Sequence, residues 1–262
     1  MSLKDLFHPS SVAVIGASRE KGEVGREVLT NLIDSFRGEI FPVNPKADEL
    51  EGLKCYDRIS QVPADIDLAV IAVPAPIVPD VLKECSESGI NDVIVVSGGF
   101  KEVGEEGAKL EEQLKKIARE NEINVIGPNA LGVISTSSSL NATFAQRMAL
   151  PGNISFMSQS GAFCTAVLDW ANEVGMGFNH FVSLGNKAVL DEIDLIEEWD
   201  RDSGTEVILA YLEGIDRGQK FIEIAKDVTK TTPIVVVKAG KTEEGASAAA
   251  SHTGTLTGSD DA

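Results

Sequence analysis

The 262-residue sequence predicts an α/β chain in which a doubly wound unit, a parallel sheet with helices on both faces, is followed by a second unit of alternating strands and helices. Three observations carry that expectation. Short β-rich runs alternate with helical patterns along most of the chain. The first five runs are almost continuously apolar, as strands covered on both faces must be. The alternation breaks once, around residues 135–153, and then starts again.

Taken in order, Val12–Gly16, Glu39–Val43, Asp67–Val73, Asp92–Ser97 and Ile123–Gly127 read as the five strands of the first unit. A helix from Gly107 to Asn121 sets Leu110, Leu114, Ile117 and Ala118 on one face beneath charged neighbours. Ser135 to Asn141, rich in small polar residues, and Pro151-Gly152-Asn153 read as the inter-domain connection. In the second unit Asn153–Ser158, His180–Leu184, Glu206–Leu212 and Pro233–Lys238 read as strands, and Ala162–Val174, Asp191–Asp202 and Gln219–Thr229 as helices. Phe163, Val167, Trp170 and Val174 are the expected core-facing stripe of the first of these helices. The domains are placed at residues 1–129 and 130–262. A sheet of the second kind usually continues past a run like Pro233–Lys238, so that domain is expected to be incomplete and the chain to be the N-terminal portion of a longer polypeptide.

Composition narrows the function. A formal charge of −18 opposes binding along a nucleic-acid backbone, so any anionic ligand must be held by local N–H groups and a few lysines. No apolar run approaches the roughly 20 residues that span a bilayer, and no membrane partner is expected. Cys55, Cys85 and Cys164 are too far apart for a metal or redox pair and read as small core residues, reduced in a cytoplasmic protein. No metal site is expected.

The glycines Gly16, Gly22 and Gly25 follow the first strand and open a helix, where bare backbone can approach a phosphate. Their spacing is wider than Gly-x-Gly-x-x-Gly. The second strand ends in Asn44-Pro45-Lys46 where an NAD site would place an acidic ribose reader. A lysine there suits a phosphate, either that of NADP or the 3′-phosphate of coenzyme A, while the glycines could equally form no more than a tight turn. Val73-Pro74, Ser97-Gly98-Gly99-Phe100 and Gly127-Pro128-Asn129 fall at the ligand-binding edge of the same sheet.

In the second unit a strand runs through Ser158-Gln159-Ser160-Gly161-Ala162 into a helix, so the N–H groups of Ser160 to Ala162 are expected to be unpaired and to form a phosphate cradle. Ser160 could instead simply cap the helix. Of three histidines, His8 and His180 read as surface or packing residues. His252 stands apart, in a run of small residues from Gly245 to Gly258 that could not bury it. A neutral imidazole attacks phosphorus well when an acceptor fixes one ring nitrogen, and Glu213, after the strand Glu206–Leu212, could be that acceptor or a solvated loop carboxylate.

These segments resemble one family. Ser11 to Gly25, Phe41 to Lys46, Asp67–Pro74, Gly99-Phe100 and Gly127 to Gly132 are similar to the CoA-binding domain of ADP-forming acetyl-CoA synthetases, and more distantly of the succinyl-CoA synthetase α-subunit. Ser158 to Gly161, Ser183 to Lys187, Tyr211 to Gly214 and Ser251 to Gly254 are similar to motifs of the same family, in its order. The chain has Ala130 where members more often have cysteine. The resemblance implies a Rossmann-like CoA-binding domain followed by a flavodoxin-like domain. It implies Gly16, Ser18, Gly25, Lys46, Val73, Pro74, Ser97 and Asn129 along the CoA site, Ser160, Gly161 and Ala162 around phosphate, His252 as the phosphorylated residue and Glu213 orienting it. The implied reaction interconverts acyl-CoA, phosphate and ADP with acid, CoA and ATP, through an acyl phosphate and a phosphohistidine. No Gly-x-x-x-x-Gly-Lys-Ser/Thr motif is present, so ADP/ATP and magnesium are expected on an ATP-grasp partner, fused or in a hetero-oligomer. Two other classes of reading are a CoA-sensing module of a protein lysine acetyltransferase and an NADP-dependent oxidoreductase. His252 argues against the first, and the lack of an evident hydride-transfer acid or base against the second.

Overall fold

A computed structural model of the chain describes residues 3–240. After one turn of helix, α1 (Lys4–Phe7), the chain runs through β1 (Ser11–Ile15), α2 (Val24–Ser35), β2 (Glu39–Val43), a short hairpin of β3 (Glu49–Leu50) and β4 (Leu53–Lys54), β5 (Leu68–Ile71), α3 (Val78–Glu87), β6 (Asp92–Val95), α4 (Glu105–Glu120) and β7 (Asn124–Ile126). The five long strands form one parallel sheet in the order β2-β1-β5-β6-β7. Alternate residues face opposite layers. Val12, Val14, Val70 and Ile94 pack towards α2, whereas Ala13, Ile15, Ala69, Ile71, Val93 and Val95 pack against Leu82 and Cys85 of α3 and Leu114 and Ala118 of α4. Burial on both faces is what the unbroken apolar runs require.

The second domain continues through β8 (Gly132–Ser135), β9 (Leu140–Thr143), β10 (Leu150–Ser158), α5 (Gly161–Val174), β11 (Gly177–Ser183), α6 (Glu192–Arg201), β12 (Val207–Leu212), α7 (Gly218–Val228) and β13 (Ile234–Lys238). Its sheet runs β13-β12-β10-β11-β8-β9, parallel through β11 and antiparallel from there. Local signals set the helix ends. Asp191 caps α6 in a reciprocal box with Asp194, and α5 stops at Gly175 in the left-handed conformation.

Two expectations fail here. Ser135 to Asn141 is no connection: β8 and β9 form an edge hairpin, and β9 packs against α2 of the first domain. Its polar side chains are absorbed locally, Thr136 Oγ1 donating to Phe178 O at 2.7 Å, Ser138 Oγ to Phe7 O at 2.7 Å and Thr143 Oγ1 to Asn141 Oδ1 at 2.6 Å. Pro151-Gly152-Asn153 likewise lies inside β10, at a shift of register with β11. The stripe of α5 is also displaced by one residue. Cys164, Leu168 and Ala171 are buried, while Trp170 and Val174 are more than half exposed. Both sets satisfy the three- and four-residue spacing, and the sheet accepts the one with smaller members, which lets the helix lie close.

The three cysteines are buried and free. No helix among the described residues is long and apolar enough to cross a membrane. His180 is a packing residue: its ring is buried 4.3 Å from that of Phe7 and stacked near Trp199, with Nε2 2.9 Å from Asp202 Oδ2. Its hydrogen bond, with the N–H of Gly204 and the amide of Asn179, holds the Asp202 carboxyl well below its usual range against the opposing effect of burial. A depressed carboxylate contributes stability that is complete above its unfolded value of about 3.9 and disappears as pH falls through the folded value. Asp202→Asn is therefore expected to cost about 1–2 kcal/mol at neutral pH, allowing for partial solvent screening, and progressively less below pH about 4, as read from urea midpoints across pH.

Candidate functional site

Both sheets end at one cleft. β10 passes into Gln159 and Ser160, and α5 begins at Gly161. The cradle is narrower than the sequence suggests. The Ser160 N–H donates to Ser158 Oγ at 3.0 Å, and Ser160 Oγ caps the helix by accepting the Phe163 N–H at 3.3 Å. Gly161 and Ala162 keep N–H groups with no partner among the described residues, at the positive end of a 14-residue helix. A cleft of about 370 Å³ opens here, lined by the cradle, Thr165, Gln159 and Glu213 on one side and by Val96, Asn129, Ala130, Leu131 and Phe144 on the other.

Glu213 follows β12 and is buried at the cleft. The sequence motifs contained, without assigning, the residues that hold it. Gln159 Oε1 accepts the N–H groups of Glu213 and Gly214 at 2.5 and 2.9 Å, and its Nε2 donates to Gly214 O at 2.8 Å. Lys238 Nζ donates to Glu213 O at 2.9 Å and Lys187 Nζ to Gly214 O at 2.8 Å. Lys187 is 6% exposed and also reaches Glu192 Oε2 at 3.0 Å. Burial pushes the Glu192 acid upward and the Lys187 charge partly opposes it. Burial, then the Glu213 charge, raises the Tyr211 hydroxyl. Burial also lifts the Cys164 thiol to about 12, which keeps it protonated and unreactive beside the cradle.

The residues assigned to the CoA site lie at the carboxyl edge of the first sheet. Gly16 has φ +91°, and a Cβ on it would stand 2.5 Å from Ala72 O, so the loops after β1 and β5 meet through glycine alone. A Cβ on Gly25 would collide with Gly16 O, which pins the start of α2 to the same turn. Ser18 Oγ accepts the Glu20 N–H at 3.1 Å. Ser97 Oγ donates to Val73 O at 2.6 Å, tying two of the loops together, while Pro74 and Lys46 are exposed. Asn129, with φ +58°, reaches the second domain through Nδ2, 3.4 Å from Asn186 Oδ1, and also lines the cleft. It is the assigned CoA residue that the fold brings beside the cradle. His252 lies outside the described residues. Among the described residues no group of three His, Cys, Asp or Glu side chains is arranged to hold a metal ion.

The loop Gly185-Asn186-Lys187 joins the two domains. Asn186 N donates to Pro128 O at 2.8 Å and Ala188 N to Gly127 O at 2.9 Å. Asn186 Nδ2 is shared between Glu102 Oε2 at 2.7 Å and Glu111 Oε2 at 2.8 Å, and Glu102 in turn accepts the Gly99 N–H at 2.6 Å.

A glycine-rich edge on one parallel sheet, facing a helix-start cradle on a second, defines a two-domain α/β protein of the coenzyme-binding kind. Two family models match it: a CoA binding domain over residues 10–136 and a succinyl-CoA ligase like flavodoxin domain over residues 151–262. The ADP-forming acetate–CoA ligase I of Archaeoglobus fulgidus is 48% identical over 98% of this chain and 37% of its own length. The α-subunit of ADP-forming acetate–CoA ligase I from Pyrococcus furiosus is 47% identical over 99% of this chain and 57% of its own. Among solved structures, the acetyl-coenzyme A synthetase 1 of Ca. Korarchaeum cryptofilum, in complex with phosphate and ADP, superposes with a TM-score of 0.94 at 46% identity, over 98% of this chain and 56% of that one. The chain belongs to the ADP-forming acyl-CoA synthetase α-subunit family, within the succinyl-CoA synthetase superfamily. It spans between 37% and 57% of the length of these relatives.

Gly185 gives a direct test of the domain contact. It has φ +56°, and a Cβ there would run into Pro128 O and Asn129. Gly185→Ala is expected to lower stability by about 1–3 kcal/mol in urea unfolding, because the loop would have to move off Pro128 and Asn129.

Proposed function

We propose that the chain is the CoA-binding and phosphohistidine-carrying part of an ADP-forming acyl-CoA synthetase. A phosphate oxygen held at Gly161 and Ala162 attacks the thioester carbonyl, the C–S bond breaks, and CoA leaves as thiolate to collect a proton. His252 then attacks phosphorus through a neutral ring nitrogen while its other N–H donates to Glu213, and the carboxylic acid departs as carboxylate. The phosphohistidine passes its phosphoryl group to ADP on an ATP-grasp unit, fused or separate, where magnesium would neutralise the phosphates. The assembly would work in the cytoplasm as a hetero-oligomer or a longer chain.

The observation that carries this reading is one cleft holding a helix-start cradle, a buried carboxylate and Asn129 from the proposed CoA edge. Positioning and charge neutralisation account for most of the catalysis expected of such a site. On the same reading Gly16, Ser18, Gly25, Val73, Pro74 and Ser97 line CoA, and Lys46 meets its 3′-phosphate.

The experiment that tests the reading is labelling by radioactive acyl phosphate, or by ATP and magnesium in the assembled enzyme. The label should be acid-labile and base-stable, map to His252, and vanish with turnover in His252→Ala. Label that persists in that variant, or maps to Ser160 or Ser251, overturns the mechanism. Glu213→Gln should fold normally and slow phosphorylation by about 10²–10³, since an amide accepts a hydrogen bond without stabilising the developing imidazolium charge. Separately, Lys46→Ala is expected to weaken CoA more than dephospho-CoA in calorimetric titration. Equal losses would remove Lys46 from the 3′-phosphate role.

A further inference from the structure

We propose that Gln159 is a positioning residue of this site: its side-chain amide fixes the peptide that carries Glu213, so that carboxylate and cradle share one rigid frame. The proposal rests on the reading of Glu213 as the acceptor that orients a histidine ring.

Gln159 stands where β10 gives way to α5, one residue before the capping Ser160. Its own N–H donates to Tyr211 O at 3.1 Å, so its backbone belongs to the end of the β10–β12 ladder. The side chain is 7% exposed and crosses to the neighbouring strand end to make its three hydrogen bonds with Glu213 and Gly214. Only one amide orientation works, because a flipped amide would set its NH₂ against two N–H donors. Lys238 and Lys187 take the two carbonyls, so all four backbone polar groups beneath the carboxylate have partners.

A turn at the rim of an open cleft could be satisfied by water. Burying a glutamine there orders a flexible side chain at a cost in rotamer freedom. What the glutamine adds is a fixed distance: the N–H groups of Gly161 and Ala162 lie two and three residues along its own chain, and Glu213 lies across its side chain. A nucleophile oriented by that carboxylate must meet a phosphate held by those N–H groups, and a misplacement of about 1 Å can cost 10²-fold in rate.

The test uses the full polypeptide labelled by radioactive acetyl phosphate, with the rate of acid-labile label as readout. Gln159→Leu is expected to slow labelling roughly 10- to 100-fold with CoA affinity unchanged, and to add less than about 2-fold when combined with Glu213→Gln. Gln159→Glu keeps the acceptor for both N–H groups, loses the donor to Gly214 O and places a second carboxylate beside Glu213. It should lose less of the rate than Gln159→Leu and move the acid limb of the pH–rate profile upward, since a like charge raises the Glu213 pKa. The proposal is overturned if the Leu and Gln losses multiply, or if Gln159→Leu lowers Tm but leaves the rate alone. Should Gln159→Leu fail to fold, the Gln159→Glu profile decides, and an unshifted acid limb overturns it. If the unsubstituted protein takes no label, the phosphohistidine reading falls and the proposal with it.

Discussion

The pressing of the Gly185-Asn186-Lys187 loop onto the Gly127-Pro128-Asn129 loop is the contact on which the rest of the site depends. It is backbone against backbone, too close for any side chain at Gly185. From it each domain receives a part it could not position alone. The first domain gains Asn186, whose amide links Glu102 and the Gly99 loop to the buried Glu111. The second gains a fixed base for Lys187, which reaches the turn carrying Glu213. The apolar layer between the sheets runs unbroken from Val14 and Leu29 to Leu184, Trp199 and Leu212, so the two domains meet through a shared core as well as through this loop.

Electrostatics pulls in two directions. A net charge of −18 gives the surface a field that repels anions, yet the proposed ligands are all anionic. The cleft answers with local donors rather than with a basic patch: two N–H groups at a helix start that have no partner among the described residues, and ammonium groups of Lys187 and Lys238 turned onto carbonyls beside Glu213. Those ammoniums are held by backbone oxygens and by Glu192, and so contribute fixed positive charge in a partly buried place, where it is screened least. On the proposed function, such an arrangement would make anion binding depend on geometry more than on ionic strength.

How much of this was legible in the sequence follows from which signals are local. The apolar strands of both sheets were readable from their unbroken apolar runs, which burial on two faces explains in the first sheet though not at β13, where Val235 and Val237 are more than half exposed. The β8–β9 hairpin was not: its strands carry Ser, Thr and Asn, and only packing against α2 and specific hydrogen bonds to Phe7 and Phe178 make that composition a strand pair. The face of α5 was undetermined for a related reason, since two stripes with the same spacing differ only in size. At the site, Glu213, Ser160 and the glycines were marked by their place at strand ends. Gln159, Lys187 and Asn186 were not, because nothing in a single sequence says that Gln159 will bond to a peptide 54 residues on, or that Asn186 will be shared by two glutamates. Such roles exist only in the tertiary fold.

That division has a consequence for how the site is built. The groups legible from sequence are those proposed to touch ligand, whereas those found only in the structure act by holding a peptide or a loop. A ligand-touching group needs a particular chemistry, so its residue type is informative; a holding group needs only the right donor at the right distance, and several residue types can supply it. Ser97 and Ser160 illustrate the boundary. Both stand at the carboxyl ends of strands, yet their hydroxyls are engaged with Val73 O and the Phe163 N–H. For these two residues the ligand would be met by neighbouring backbone, and the side chain's contribution is to keep that backbone in place. A site whose contacts are mostly N–H groups and glycine-spaced loops is therefore sensitive to the geometry of its supports: Asn186 ties the Asn129 loop and Glu102 to the second domain, while Gln159 and Lys187 hold the turn that carries Glu213.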